Sequence, residues 1–147
     1  MNKRLVVILC CFFVISIVLL GASFAQESGQ DKVLSTTQDV SDNMRVIYSS
    51  KTVNKDNKVI DLSIINKSNN IKDYVILVDG LSDYSNIRYI IDGEEKDLSE
   101  VIYFGTLSSL GIDGDYKSHN IEFIFDADIE FNIVVKEYNG EISYGSK

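Results

Sequence analysis

The single histidine of the chain, His119, is the first residue that could do chemistry. An imidazole can take the proton of a serine hydroxyl, and Ser118 or Ser108 would be the nucleophile of such a pair. The Gly-x-Ser-x-Gly elbow that would support the pair is missing. A zinc-protease helix needs two histidines one turn apart with a glutamate between them, and His119-Asn120-Ile121-Glu122 does not match. His119 opens an alternating run, where an exposed polar side chain is ordinary, so it is expected to be structural or neutral.

Carboxylates are the next candidates. Asp113-Gly114-Asp115 and Asp126-Ala127-Asp128 could offer oxygens to Ca²⁺, which takes six to eight of them. Neither has the closing glutamate of an EF-hand loop, and Asp also favours turns on its own account. Glu94-Glu95 and the pair Glu122/Glu130 could form a glycosidase acid pair only if they met across a cleft. They are equally charges on the outer face of a sheet. Asn66-Lys67-Ser68 matches the N-glycosylation pattern and falls in an expected turn.

Tyr48, Tyr74, Tyr84, Tyr89, Tyr103, Tyr116, Tyr138 and Tyr144 could build a carbohydrate or peptide platform. Most alternate with other apolar residues and are expected to pack, with Tyr84 and Tyr144 exposed. No catalytic, cofactor-binding or metal-ligating residue is assigned, and no cofactor is expected.

These residues sit on short alternating runs. Met44, Val46, Tyr48 and Ser50 share a face, as do Ile60, Leu62 and Ile64. Residues 71–79 are apolar on both faces, the mark of a central strand covered on both sides or beside a partner. Ile87, Tyr89 and Ile91 lead into Asp92-Gly93, the strongest turn signal in the chain. Residues 94–100 suit one helical turn at most. Val101 to Phe104 reads as a strand and Gly105 to Gly111 as a loop. Ile121, Phe123 and Phe125, then Ile129, Phe131, Ile133 and Val135, complete the pattern, and a last edge strand could run through Ile142 and Tyr144.

Alanine, the best helix former, occurs once beyond residue 25, whereas β-branched and aromatic residues are frequent. The expected fold is all-β: one antiparallel β-sandwich of seven to eight short strands, immunoglobulin-like or jelly-roll-like, after an N-terminal apolar signal helix.

The N-terminus gives the address. Lys3 and Arg4 precede an apolar run from Leu5 to Leu20, and Ser23 and Ala25 fit the small-x-small rule for cleavage after Ala25. Counted on to Ala25, the segment is also long enough to remain as an anchor. The organisation is therefore signal or uncleaved anchor over 1–25, flexible lead over 26–42 with room for one edge strand, and sandwich over 43–147. Cys10 and Cys11 both fall in the signal, so the mature chain has neither thiol nor disulfide. Losing Lys3 and Arg4 takes the net charge from −8 to −10, a surface that repels nucleic acid and anionic lipid.

The signal end GASFA resembles signals of secreted proteins of Gram-positive bacteria. The runs DLSIINKSNNIKDYVILVDG, SNIRYIIDG, FGTL and HNIEFIFDADIEFNIVVKEY resemble the β-sandwich pattern of TasA/camelysin-type surface proteins, over roughly Val59 to Tyr138. A generic immunoglobulin-like sandwich shares the same pattern. The resemblance implies a surface or matrix protein that assembles into fibres, or an accessory to such assembly. Some camelysin-type members are described as metalloproteases; without a zinc motif that activity is not carried over.

The expected function is an exported, non-enzymatic surface or extracellular-matrix protein acting through protein–protein contacts, including fibre assembly by strand pairing. The alternative is a secreted module that binds carbohydrate or Ca²⁺. Expected partners are other protein subunits or surface proteins, a homo-oligomer among them, with no nucleic acid and with membrane only through residues 5–25 if uncleaved. The expected location is secreted or at the cell surface.

Overall fold

The computed structural model describes residues 35–140. The signal, the start of the lead and the tail with Ile142 and Tyr144 lie outside the described residues. The described chain is all-β, with β1 (Thr36–Ser41), β2 (Met44–Tyr48), β3 (Thr52–Val53), β4 (Val59–Asn66), β5 (Lys72–Asp79), β6 (Arg88–Ile91), β7 (Glu94–Asp97), β8 (Val101–Leu107), β9 (Tyr116–Ile124) and β10 (Phe131–Tyr138). Among the described residues there is no helix.

Two antiparallel sheets pack face to face. The six-stranded sheet has the order β1-β2-β4-β9-β6-β7 and the four-stranded sheet β3-β10-β5-β8. Alternation decides which side chains lie between them. Met44, Val46 and Tyr48 of β2, Ile60, Leu62 and Ile64 of β4, and Ile121 and Phe123 of β9 meet Tyr74, Ile76 and Val78 of β5 and Phe131, Ile133 and Val135 of β10 in one core. Phe131 packs edge-on against Phe123 with ring centroids 5.2 Å apart. β5 lies between β10 and β8, and its outward Val75 and Leu77 are buried as well, which agrees with its two apolar faces.

Ten strands replace the seven or eight expected, because β1, the two-residue β3 and β7 join the expected set, and β8 is longer than expected. The edge strand allowed for the lead exists: β1 pairs with β2, Thr37 opposite Ile47. Residues 94–97 form a strand instead of a helical turn, because the hairpin at Asp92-Gly93 folds β7 back onto β6. Both turn residues have positive φ, 51° and 84°, the left-handed pair that matches the twist of a two-residue hairpin. Finally, β8 continues to Leu107 where a loop was expected from Gly105, since Tyr74 of β5 pairs with Gly105 and holds it in the ladder.

Candidate functional site

His119 does not stand exposed at the start of a strand. It is the fourth residue of β9, in the same phase as Ile121 and Phe123, and 4% exposed between the sheets. Three side chains surround it. Tyr74, reaching over from β5, places its hydroxyl 2.7 Å from Nε2. Asp92, at the β6–β7 turn, places Oδ2 3.2 Å from Nδ1. Tyr103 of β8 packs on the imidazole with centroids 4.5 Å apart.

The chemistry assigns the protons. A carboxylate only accepts, so Nδ1–H donates to Asp92 and Nε2 accepts from the Tyr74 hydroxyl. Burial pushes the His119 pKa below its ordinary value, with Asp92 opposing and Lys117 assisting. Burial also pushes the Tyr74 pKa well up, helped by Tyr103 and Asp92. The chain Asp92–His119–Tyr74 therefore has the order of an acid–base relay with a phenol in the nucleophile position. Its phenol is held protonated and is fully buried. The relay joins the two sheets, with the imidazole and the phenol buried between them and Asp92 exposed at its outer end.

Gly105 makes the Tyr74 position available. A Cβ on Gly105 would lie 2.2 Å from Tyr74 Cζ and 2.3 Å from its hydroxyl. Glycine in a strand commonly marks such a close approach.

Two other tyrosines repeat this use. Tyr48 Oη accepts from Val135 N–H at 3.1 Å, and Tyr89 Oη donates to the Ile102 carbonyl at 2.9 Å. Each of these phenols ties one sheet to the other. Tyr84, expected exposed, packs against the core instead, while Tyr116 is exposed at 62%; Tyr144 lies outside the described residues.

The serines do not meet the histidine. Ser118 Oγ lies 2.7 Å from Ser63 Oγ on the exposed face of β9 and β4, opposite to His119 by strand alternation. Ser108 lends its backbone carbonyl to Asn66. The Asp pairs do not converge either. Asp113-Asp115 precede β9 and Asp126-Asp128 follow it, so a nine-residue strand of about 30 Å separates them. Asp115 accepts from Gly111 N–H at 3.1 Å within its own turn. Among the described residues no group of three or more His, Cys, Asp or Glu is placed to hold a metal ion. Glu94 and Glu95 pair with Lys96 and Arg88 on the hairpin surface, Glu122 is exposed on β9, and Glu130 lies 3.4 Å from Asn54.

Asn66 is the polar residue that sequence reasoning missed. It is fully buried at the end of β4. Its Nδ2 donates to the Asn70 and Ser108 carbonyls at 2.8 Å each, and its Oδ1 accepts from Ser68 N–H at 2.9 Å. One amide thus closes the β4–β5 turn and pins it to the β8–β9 loop. The glycosylation triplet is consequently a structural corner whose acceptor nitrogen is enclosed in the folded state. Phase was the available signal: Asn66 follows Ile60, Leu62 and Ile64 at the inward spacing, as His119 precedes Ile121 and Phe123.

The depressed His119 pKa gives a pH dependence with a definite sign. The unfolded chain takes up the proton first, near pH 6.5, so stability falls as pH drops from there through the lower folded value. The slope is at most about 1.4 kcal/mol per pH unit for one proton. Thermal melts between pH 7 and pH 5 should show falling Tm in the parent and a flatter profile in His119→Gln. Equal profiles would show that His119 does not titrate between these states.

Fold and site define a two-sheet, all-β domain whose polar interior is a set of sheet-to-sheet ties. Comparison with protein-family models, curated proteins and solved structures finds no match to this chain.

Proposed function

We propose that this chain is an exported, non-enzymatic domain that works at a cell surface or in an extracellular matrix through contacts with other proteins. The observation that carries the reading is the free edge of β8, an uncharged apolar strand with a single strand partner among the described residues. Sheet edges with free N–H and C=O groups pair readily with other chains. The N-terminal signal pattern supports export, and the burial of His119 and of the Tyr74 phenol supports a non-enzymatic role. The resemblance to TasA/camelysin-type surface proteins, or to an immunoglobulin-like sandwich, points the same way.

Sedimentation and electron microscopy of the exported protein, with crosslinking at the producing cell's surface, test this. Oligomers, fibres or crosslinked protein neighbours are expected. A strictly monomeric protein at high concentration and varied pH, with no crosslinked neighbour, would overturn it.

A second reading rests on a cleft of about 500 Å³ between the β5–β6 and β9–β10 loops. Ile87 and Phe125 contribute to its apolar lining, and Asp83, Asn86, Arg88 and Asp126 are among its polar residues. Such a mixture suits a sugar ring better than a bare cation. Calorimetry against a glycan panel decides it: saturable heat supports the cleft as a carbohydrate site, and flat titrations remove it.

A further inference from the structure

We infer that β8 pairs with the β8 of a second copy of this chain, antiparallel, so that the two four-stranded sheets become one continuous sheet across a two-fold axis. This deepens the protein-contact reading above and rests on it.

The four strand edges of the described residues are not alike. In the six-stranded sheet, β7 reads Glu-Glu-Lys-Asp and is exposed throughout. Its opposite edge, β1, carries Asp39, engaged with Arg45 and Lys67 at 2.9 and 3.0 Å. In the four-stranded sheet, β3 is two residues long. Charge and shortness are the ordinary means of blocking edge pairing. β8 has neither: Val-Ile-Tyr-Phe-Gly-Thr-Leu is seven residues without a charge or a proline.

Its beginning is already capped. Ser99 Oγ donates to the Val101 carbonyl at 2.8 Å, and Tyr89 Oη to the Ile102 carbonyl at 2.9 Å. The open stretch is therefore Tyr103 to Thr106, where Phe104 is 53% exposed. Phe104 lies on the outward face, packed edge-on against Tyr138 with centroids 5.4 Å apart.

Charge selects the occupant. The chain carries a net −8, so two copies attract only where like charges do not face each other. Self-pairing of β7 with Glu94 opposite the Asp97 of a second copy also sets Glu95 opposite Lys96, but the strand brings three carboxylates against one ammonium from each copy. Self-pairing of β8 sets Phe104 opposite Phe104, or opposite Thr106 when the axis passes through Gly105. Aromatic–aromatic and aromatic–β-branched cross-strand pairs are both favourable. A single open edge of this kind closes a pair; a fibre needs a second, different contact.

The experiment is sedimentation equilibrium of the exported protein and three variants. The parent is expected to be a concentration-dependent dimer. Phe104→Lys is expected to weaken association by about tenfold or more, because edge lysines oppose strand pairing. Thr106→Lys does the same while leaving the new ammonium beside Asp73, whose carboxylate now accepts from the Thr106 hydroxyl at 2.6 Å. Glu95→Gln on β7 leaves the dimer unchanged, and circular dichroism of each variant reports the fold. Two results overturn β8 pairing yet keep the protein-contact reading: association that survives in both folded lysine variants, and a monomeric parent that still crosslinks to other proteins. A monomer without crosslinks overturns both. Should both lysine variants fail to fold, amide exchange of the parent decides. Concentration-dependent protection at Tyr103 to Thr106 supports the pairing, and its absence overturns it.

Discussion

Replacing Asn66 with alanine is expected to cost about 3–5 kcal/mol of folding stability. The substitution removes a fully buried amide and takes a partner from three backbone groups at once: the Ser108 carbonyl, the Ser68 N–H, and the Asn70 carbonyl, which is exposed and keeps Ser68 Oγ at 3.5 Å. Each buried group left without a partner costs about 1–3 kcal/mol. The loss is local in structure and global in effect. The β8–β9 loop is also held by Leu110 N–H to the Ser68 carbonyl at 2.8 Å, and β4 by Asn66 N–H to the Asp115 carbonyl at 2.8 Å. Both bonds depend on the corner keeping its shape. Asn66→Asp keeps the volume and the acceptor but turns a carboxylate toward two carbonyls, so it should be at least as damaging. Urea unfolding measures the cost, and amide exchange at Leu110 and Ser68 localises it. A change below about 1 kcal/mol in Asn66→Ala would show that water replaces the amide without loss.

Gly105→Ala is expected to be comparably severe, at about 2–5 kcal/mol, although it adds one methyl group. The backbone tolerates alanine there, since only a left-handed φ would strain it and Gly105 has none. The space does not: the new Cβ falls 2.2 Å from Tyr74 Cζ. Tyr74 cannot swing aside freely. Its ring stacks on Tyr103 at 6.1 Å, and its hydroxyl is the partner of His119 Nε2. Moving it leaves that nitrogen buried without a bond. The double variant Gly105→Ala/Tyr74→Leu separates clash from cavity. Relief of the clash should make it less unstable than the sum of the two single variants, a coupling that thermodynamic cycles read directly. Simple additivity would mean that Tyr74 and Gly105 do not compete for the same space.

Much of the fold was legible because a strand writes its buried face into the sequence every second residue. The inward sets of β2, β4, β5, β9 and β10 are the alternating residues named from the sequence, and the Asp92-Gly93 turn is where the pattern put it. β7 was not legible, because Glu94–Asp97 has no apolar face and is a strand only through its ladder to β6. The site was less legible still. His119 was expected to be an exposed side chain opening a strand, although its phase with the inward Ile121 and Phe123 was there to be read. Asn66 was masked by a triplet that resembles a modification signal.

The sequence alone determined the strand periodicity, the hairpin turn, the acidity and the basic-then-apolar order of the N-terminus, because each depends on residues close along the chain or on composition. Tertiary structure alone decided which polar residues the sheets enclose and which of the described strands lie at the sheet edges. His119 meets Tyr74 across 45 residues, and Asn66 meets Ser108 across 42. β8 became an edge only when β5 took the place between it and β10. Contacts of that separation form when the chain closes large loops around a shared core, and no local pattern encodes which polar partners will face each other there.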